Sequence, residues 1–455
     1  MLRHVLALRL RSGAYAFRES LFLLPTLIVL GGAVVAEAAW VVDRAMPPGT
    51  VLPASWSMST NAATWLLSVV SGATITTAGV VFSLTVVSLQ LASSQFSPRV
   101  MRSFIRDRLS QWVVGLLVAT FVYCVLVLRH LSGEAADPAP LLSMAVAVVL
   151  SVGTVLLIIA HLDHLARRLQ VGEVVRAIAE EARHVTAAVV ARTATERPLE
   201  GRAGPPGEDV HVIRALRDGW VTQAGSADLL AAVPPGTTVR LDTRTGAYIH
   251  EGEALATLWP APGRPEAVAR QLGGVVTVSD TRTMQEDVDF AVRQLVDIGL
   301  RALSTAINDP TTAVEVVLRL GSLLRRLLVA DLPPDAVAGP GGRVLLRPWE
   351  LTHEEYVDHA FGQLRQVAPP QPHVAATLLR VLRMLVVHVQ DAGRPDLAEP
   401  LRRQIGLLLE ALDTVPGLLP ADQDHLRAVA GATSDPGDHS SRLMRRATTP
   451  APERS

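Results

Sequence analysis

The sequence predicts an all-α membrane domain of four transmembrane helices followed by a cytoplasmic α+β region, a small β module and a helical domain. Three observations predict it. Hydrophobic residues make up 49% of the 455 residues, yet they crowd into the first third of the chain. Four runs there, residues 21–42, 62–91, 111–131 and 141–160, reach or exceed the ~20 residues a helix needs to cross the hydrocarbon core. After residue 160 the pattern changes from continuous runs to helical spacing, then to short runs between turns, then back to helical spacing.

The four runs are continuous rather than alternating, and in lipid only helices and closed barrels satisfy every backbone group, so helices are the choice. Orientation follows from arginine, because short flanking segments keep positive charge on the cytoplasmic side. Arg3, Arg9, Arg11 and Arg18 precede the first run, Arg99, Arg102, Arg106 and Arg108 separate the second and third, and Arg167, Arg168 and Arg176 follow the fourth. The segments 43–61 and 132–140 are poor in arginine and face outward. Trp40, Trp56 and Trp65 gather near the outer ends and Trp112 near an inner end, the depth at which amphipathic rings settle. The expected location is the bacterial inner membrane, with both termini cytoplasmic. Ala36-Glu37-Ala38 has the small-residue spacing of a signal-peptide cleavage site, but a basic lead of about 20 residues is long for a signal peptide.

All 42 basic side chains are arginine. Without lysine there is no Schiff-base amine and no Walker A lysine, so pyridoxal and P-loop chemistry are excluded. A GC-rich genome accounts for this bias as well as for the abundant Ala, Val and Gly. The net charge of −1 gives no reason to expect nucleic acid. Cys124 is the single cysteine, which excludes an intramolecular disulfide.

The domains follow in order. Residues 1–160 form the membrane domain. In residues 161–195, Leu162, Leu165, Leu169, Val174, Ile178, Ala182 and Val185 recur at helical spacing, so the fourth membrane helix is expected to run on as a stalk or to pack on the soluble domain. Residues 196–209 hold a Pro/Gly-rich linker. Residues 210–280 read as a small β module, with "GWVTQ", "TTVRLDT" and "GGVVTVS" between turn residues. Its Gly246 to Gly252 hairpin resembles those of biotinyl and lipoyl carriers, but the absent lysine excludes carriage. Residues 281–432 read as a helical cytoplasmic domain interrupted by a Pro/Gly-rich loop over 331–347. Residues 433–455 are a polar tail expected to be disordered.

Candidate chemistry begins with the second span. Gly72, Thr76, Gly79 and Ser83 share one helix face, with Gln90 further along it. Small residues let helix backbones approach and hydroxyls bond across helices, which makes this a packing face; the alternative is the lining of a pore shared by several copies. In "AINDPTTA", Asp309 and Pro310 mark a helix start, because Asp accepts from free first-turn amides and Pro at the first position lacks only a donor that has no partner. Asn308, Asp309, Pro310, Thr311 and Thr312 thus form a corner between two helices. Anion binding there is opposed by the charge of Asp309. His161 and His164 flank Asp163 at the end of the fourth span, where two histidines alone do not make a metal site. "HEEYVDH", from His353 to His359, lacks the zinc-protease spacing because Val357 stands where the second histidine belongs; it reads as an exposed acidic helix face.

Two stretches, "SGATITTAGVVFSLTVVSLQLASSQFSPRVMRSFIRDRLSQWVVGLLVATFVYCVLVLR" and "TRTMQEDVDFAVRQLVDIGLRALSTAINDPTTAV", resemble the signature blocks of the bacterial predicted membrane proteins known as the domain of unknown function 2254 family. The resemblance runs to about residue 412. Thr305 stands where the family pattern has a proline. The resemblance implies membrane location and supplies neither a reaction nor a catalytic residue. The functional expectation is a homo-oligomeric assembly coupling a cytoplasmic regulatory domain to the bilayer, with a gated ion pore as its stronger form. A non-conducting scaffold or sensor is the alternative, and a membrane-associated enzyme ranks below both. No cofactor, metal or nucleic-acid partner is expected; the lipid bilayer and further copies of the chain are.

Overall fold

The computed structural model describes residues 23–46, 58–95, 108–131, 139–168, 170–200, 209–223, 225–284 and 286–431. The arginine-rich lead, Trp56, Arg99, Arg102, Arg106, most of the linker and the polar tail lie outside the described residues. The chain divides into two compact units, Met1–Val174 and Val175–Ser455.

The first unit holds α1 (Leu23–Ala45), α2 (Thr60–Gln95), α3 (Arg108–Leu131) and α4 (Leu141–Arg168). α3 is the central helix, packed against the other three. Glycine permits its closest approach: a Cβ on Gly115 would stand 2.8 Å from Ile28 Cδ1 and 3.0 Å from Pro25 Cα, and one on Gly32 would stand 2.9 Å from Ala119 Cβ. Tyr123 is buried and donates to the Ser143 carbonyl at 2.8 Å, which keeps its hydroxyl satisfied among apolar side chains. The first amides of α4 are met by Asp43 from the end of α1, at 2.8 Å from Leu142 N and 2.9 Å from Ser143 N. Near the same end, Glu37 accepts from Arg129 at 3.0 Å, and His130 stacks on Trp40. Exposed apolar side chains such as Leu30, Val34, Phe82, Val149 and Leu156 cover the outward faces, a surface suited to lipid.

α5 (Val171–Thr193) follows α4, and the Gln170 carbonyl accepts from Glu173 N at 3.1 Å at its start. The boundary between the units falls inside α5.

The second unit joins two sheets to a helical bundle. The strands are β1 (His211–Arg214), β2 (Gly219–Gln223), β3 (Thr238–Leu241), β4 (Tyr248–Ile249), β5 (Ala254–Trp259), β6 (Thr277–Ser279), β7 (Ala336–Ala338) and β8 (Val344–Leu346). They form a five-stranded sheet in the order β1-β5-β3-β8-β7 and a three-stranded sheet in the order β4-β2-β6. β3 pairs antiparallel with β5 and parallel with β8, so Val239 faces Leu258 on one side and Leu345 on the other. With α6 (Ser226–Ala231) and α7 (Pro265–Val275), the sheets enclose one core that includes Val221, Leu229, Leu241 and Leu272.

β7 and β8 fall within residues 331–347, expected above to be loop. Each is three residues long around a Gly-rich turn, too short for alternation to register, and pairing with β3 supplies what local pattern lacks.

The bundle comprises α8 (Val288–Ala302), α9 (Pro310–Leu327), α10 (His353–Val367), α11 (Pro372–Asp391), α12 (Ala398–Leu412) and α13 (Pro420–Gly431). α11 packs against α9, α12 and α13. Gly321 makes its crossing with α9 possible, since a Cβ there would stand 2.5 Å from Val381 Cγ1. α11 is also one of five described helices long and apolar enough to cross a membrane, together with α1 to α4.

Candidate functional site

The most unusual chemistry lies where the sheets of the second unit meet its bundle. α8 starts at Asp287, whose carboxylate accepts from Phe290 N at 3.0 Å, as an N-cap should. Arg282 folds back on this start. Its Nε donates to Asp287 Oδ2 at 2.6 Å, and its Nη2 donates to Asp287 Oδ1 at 3.0 Å and Asp289 Oδ2 at 2.8 Å. The guanidinium also lies 5.6 Å from the Trp220 ring centre and 5.3 Å from that of Phe290, a cation–π arrangement that offsets part of its desolvation. His359, from α10, approaches Asp289 Oδ1 at 2.7 Å through Nδ1. Gly246 is required beside this cluster, because it has φ +82° and any Cβ would run into the Asp287 carboxylate.

The two carboxylates are driven apart. Burial pushes Asp287 up, against the pull of Arg282. Burial also works against ionisation of Asp289, but the hydrogen bonds with His359 and Arg282 outweigh it and hold that carboxyl well below the usual range.

Next to this cluster is a cavity of about 50 Å³, walled by the end of α5, the start of α6, the start of α8 and the segment from β8 into α10. Arg192 Nη1 donates to Glu286 Oε1 at 2.5 Å across one wall. On another, buried Arg347 donates to Glu196 Oε2 at 2.6 Å, Ser226 Oγ at 2.8 Å and the Pro334 carbonyl at 2.9 Å. Glu350 and Tyr356 line the same space. Burial raises both the carboxyl of Glu350 and the phenol of Tyr356 above their ordinary values.

The residues singled out in the sequence fall in three places. At the corner, Asn308 takes a left-handed conformation (φ 49°) that ends the segment after α8, and its Oδ1 accepts from Gln371 Nε2 at 3.0 Å. Asp309 caps α9, accepting from Thr312 N at 3.1 Å and Thr312 Oγ1 at 2.6 Å, with Pro310 at the first helical position. The Thr312 hydrogen bonds hold the Asp309 carboxyl below its usual range. Thr311 is exposed. This corner is separate from the cavity lining.

On α2, Gly72, Thr76, Gly79, Ser83 and Gln90 are exposed, and a Cβ at either glycine would meet nothing within 4 Å. The helix packs inside the unit through Ala63, Leu67, Ala78 and Val81 instead. Thr76 donates to its own Gly72 carbonyl at 2.8 Å. His161 is buried and His164 half-buried; among the described residues no group of three or more His, Cys, Asp or Glu could hold a metal ion. The "HEEYVDH" turn is a correction. Glu354 and Glu355 are exposed, and Glu355 completes a capping box with Thr352. His353 and His359 turn inward, His353 to the Ala330 carbonyl at 3.0 Å and His359 to Asp289, so the face is not wholly solvated.

A family model described as predicted membrane protein (DUF2254) matches residues 18–384. This chain belongs to that family. Among relatives of this DUF2254 chain, the uncharacterized proteins Rv1290c of Mycobacterium tuberculosis and Mb1321c of Mycobacterium bovis are each 32% identical over 356 residues. The alignments cover 76% of the chain and 67% of each relative. No solved structure matches.

The second signature block, quoted above for its family resemblance, contains Arg282, Glu286, Asp287 and Asp289. A signal was present: an arginine and three carboxylates within eight positions at the start of an apolar helical pattern. Arg347, Glu350, Tyr356 and His359 come from distant segments, and only the fold brings them to the block.

Proposed function

We propose that this DUF2254 protein is a self-associating, multi-pass protein of the bacterial inner membrane, crossing it four times with both termini cytoplasmic, in which the second unit regulates the membrane assembly. The observation that carries this reading is the open face of α2. Within one copy, Gly115 and Gly32 are filled by neighbouring helices, whereas Gly72 and Gly79 on α2 have open space where a Cβ would stand. Such a small-residue face suits close approach by a second copy, since small residues admit a partner backbone in lipid. Because Thr76 already donates to its own helix, the face fits packing better than it fits solvation of an ion.

The count of four spans rests on α11. That helix is the most buried of the five candidates, its Arg383 donates to the Val429 carbonyl at 2.6 Å, and it packs within the bundle. It is read as a core helix. Coupling is assigned to α5, in which the two units meet along the chain and whose end lines the cavity.

The test is the subunit count in nanodiscs for the native protein and for Gly72→Ile with Gly79→Ile. Loss of copies with retained folding supports the reading; a native monomer overturns it. Orientation is tested separately by labelling Ala136→Cys in a Cys124→Ala background, which should react with an impermeant reagent from outside only.

A further inference from the structure

We propose that the shared outer face of α9 and α11 docks on anionic lipid headgroups, with its arginines against the phosphates and two apolar side chains between them. The inference goes beyond self-association; it rests on the reading that the second unit lies on the cytoplasmic side, where the leaflet is anionic.

Hydrogen bonds fix how the two helices lie. Gln371 Nε2 donates to Asn308 Oδ1 at 3.0 Å near their starts, and His388 Nε2 donates to the Arg325 carbonyl at 2.8 Å near their ends. They therefore run side by side in the same direction, and they cross where Gly321 meets Val381. Leu318, Ser322 and Arg325 recur at spacings of four and three and form one stripe of α9; Arg380, Met384 and His388 form one stripe of α11. Arg325 Nε stands 3.5 Å from His388 Nδ1, which puts both stripes on the same side of the pair. Leu318 is 50% exposed and Met384 37%, with Arg325 and Arg380 exposed beside them.

The charge of this face is unmatched. The two helices carry five arginines against two carboxylates. Glu315 is taken by Arg319 at 3.2 Å, and Asp391 follows the end of its stripe as the last residue of α11. Among the described residues, Arg325, Arg326 and Arg380 make no ion pair; Arg380 donates to Thr377 Oγ1 at 3.1 Å and to the Ala376 carbonyl at 3.4 Å. Elsewhere on the bundle, Arg403 is matched by Glu354 at 2.7 Å and Arg427 by Asp413 at 2.5 Å.

Charge and anchorage choose the occupant. A second copy laid face to face would set arginine against arginine, which disfavours it. The two units are contiguous in the chain, so the bilayer that holds the first offers its headgroups to the second at high effective concentration. An anionic surface strengthens binding by about fivefold for each arginine near it. Leu318 and Met384 suit the boundary between headgroups and acyl chains, where amphipathic faces rest.

The experiment uses the full chain with Cys124→Ala and a spin label on Ser322→Cys, in nanodiscs of phosphatidylcholine and in nanodiscs where phosphatidylglycerol replaces part of it. Power saturation compares collision with oxygen, which concentrates in lipid, and with a water-soluble nickel chelate. Anionic discs are expected to raise the first and lower the second at Ser322, and salt at about 1 M to reverse the change by screening. A label on Gln366→Cys, exposed on α10, should not respond. Arg325→Gln with Arg380→Gln should lower the docked-to-free ratio by about 25-fold, whereas Arg325→Lys with Arg380→Lys should keep most of it. Equal accessibility in the two kinds of disc overturns the proposal, as does a response that survives the salt or the glutamine variant. Shielding of Ser322 by polyglutamate in phosphatidylcholine discs, with none from phosphatidylglycerol, would assign the face to an acidic protein and overturns it too. The lipid and salt comparisons need no arginine variant, so they decide even if that variant unfolds. Both leaflets of a nanodisc have the same composition, so docking is read whichever side the second unit occupies, while the Ala136→Cys labelling and the subunit count test side and assembly separately.

Discussion

Replacing Arg282 with methionine keeps most of the side-chain length and removes the charge that two buried carboxylates share. The side chains of Asp287 and Asp289 are 3% and 2% exposed, so water cannot take over from the guanidinium. Asp287 would keep only the Phe290 amide, and Asp289 would keep His359 with Arg293 at 3.5 Å. Removing one partner from a buried ion network costs about 3–5 kcal/mol, a large share of the roughly 5–15 kcal/mol that holds a domain folded. The loss should depend on pH. Without Arg282 the orphaned Asp287 is pushed up further by burial, so the folded variant binds protons more readily than the unfolded chain and gains stability as pH falls. In the native protein Asp289 is held low, and its contribution persists until acid reaches the ordinary carboxylate range of about 4 and below. The deficit of Arg282→Met should therefore shrink as the pH is lowered toward the ordinary carboxylate range, by at most about 1.4 kcal/mol per pH unit for one proton. Hydrogen exchange of β2 and α8 peptides in the full-length protein measures the opening free energy on both sides of the cluster. A loss below about 1 kcal/mol, less than any uncompensated buried charge should cost, or a deficit that grows on acidification, would refute the reasoning.

Other expectations are equally specific. Gly321→Ala should destabilise the bundle by about 1–3 kcal/mol, because its Cβ meets Val381. Gly406→Ala on α12, where a Cβ meets nothing within 4 Å, should instead stabilise by about 0.5–1 kcal/mol through helix propensity; urea denaturation of the two variants should move in opposite directions. Asp309→Ala should cost about 1 kcal/mol as a lost cap while Asp309→Asn costs less. Since the native Asp309 carboxyl is held low, that contribution is present above its unfolded value and disappears as pH falls below about 4. Thermal melts at neutral and acid pH check both points. Gly115→Val should break the membrane bundle at the α1–α3 crossing and appear as loss of folded protein in detergent.

What the sequence reveals here is local chemistry. The Asp309-Pro310 corner is legible because a cap and a first-turn proline need only their own neighbours, and the apolar runs of α3 and α4 are legible because length alone argues for them. β7 and β8 are not, since three-residue strands acquire meaning only beside β3. The Arg282 cluster is half legible: the charged block stands in one stretch, but His359 and Gly246, the glycine that makes room for the Asp287 carboxylate, arrive from elsewhere. The α2 face illustrates a different limit. Ala63 and Ala78 are small residues like Gly72 and Gly79, so composition does not tell which stripe packs inside one copy and which is left open. Tertiary contact decides that, and it gives the inward role to the alanine stripe.

The most direct test of the central claim is the mass of the native protein in nanodiscs at several protein concentrations, beside that of Gly72→Ile with Gly79→Ile. More than one copy in the native particle, falling to one in the variant while exchange protection of α3 is unchanged, is the result expected of a face kept open for a second copy. A native protein that stays monomeric at every concentration, or a variant with the native subunit count, contradicts it.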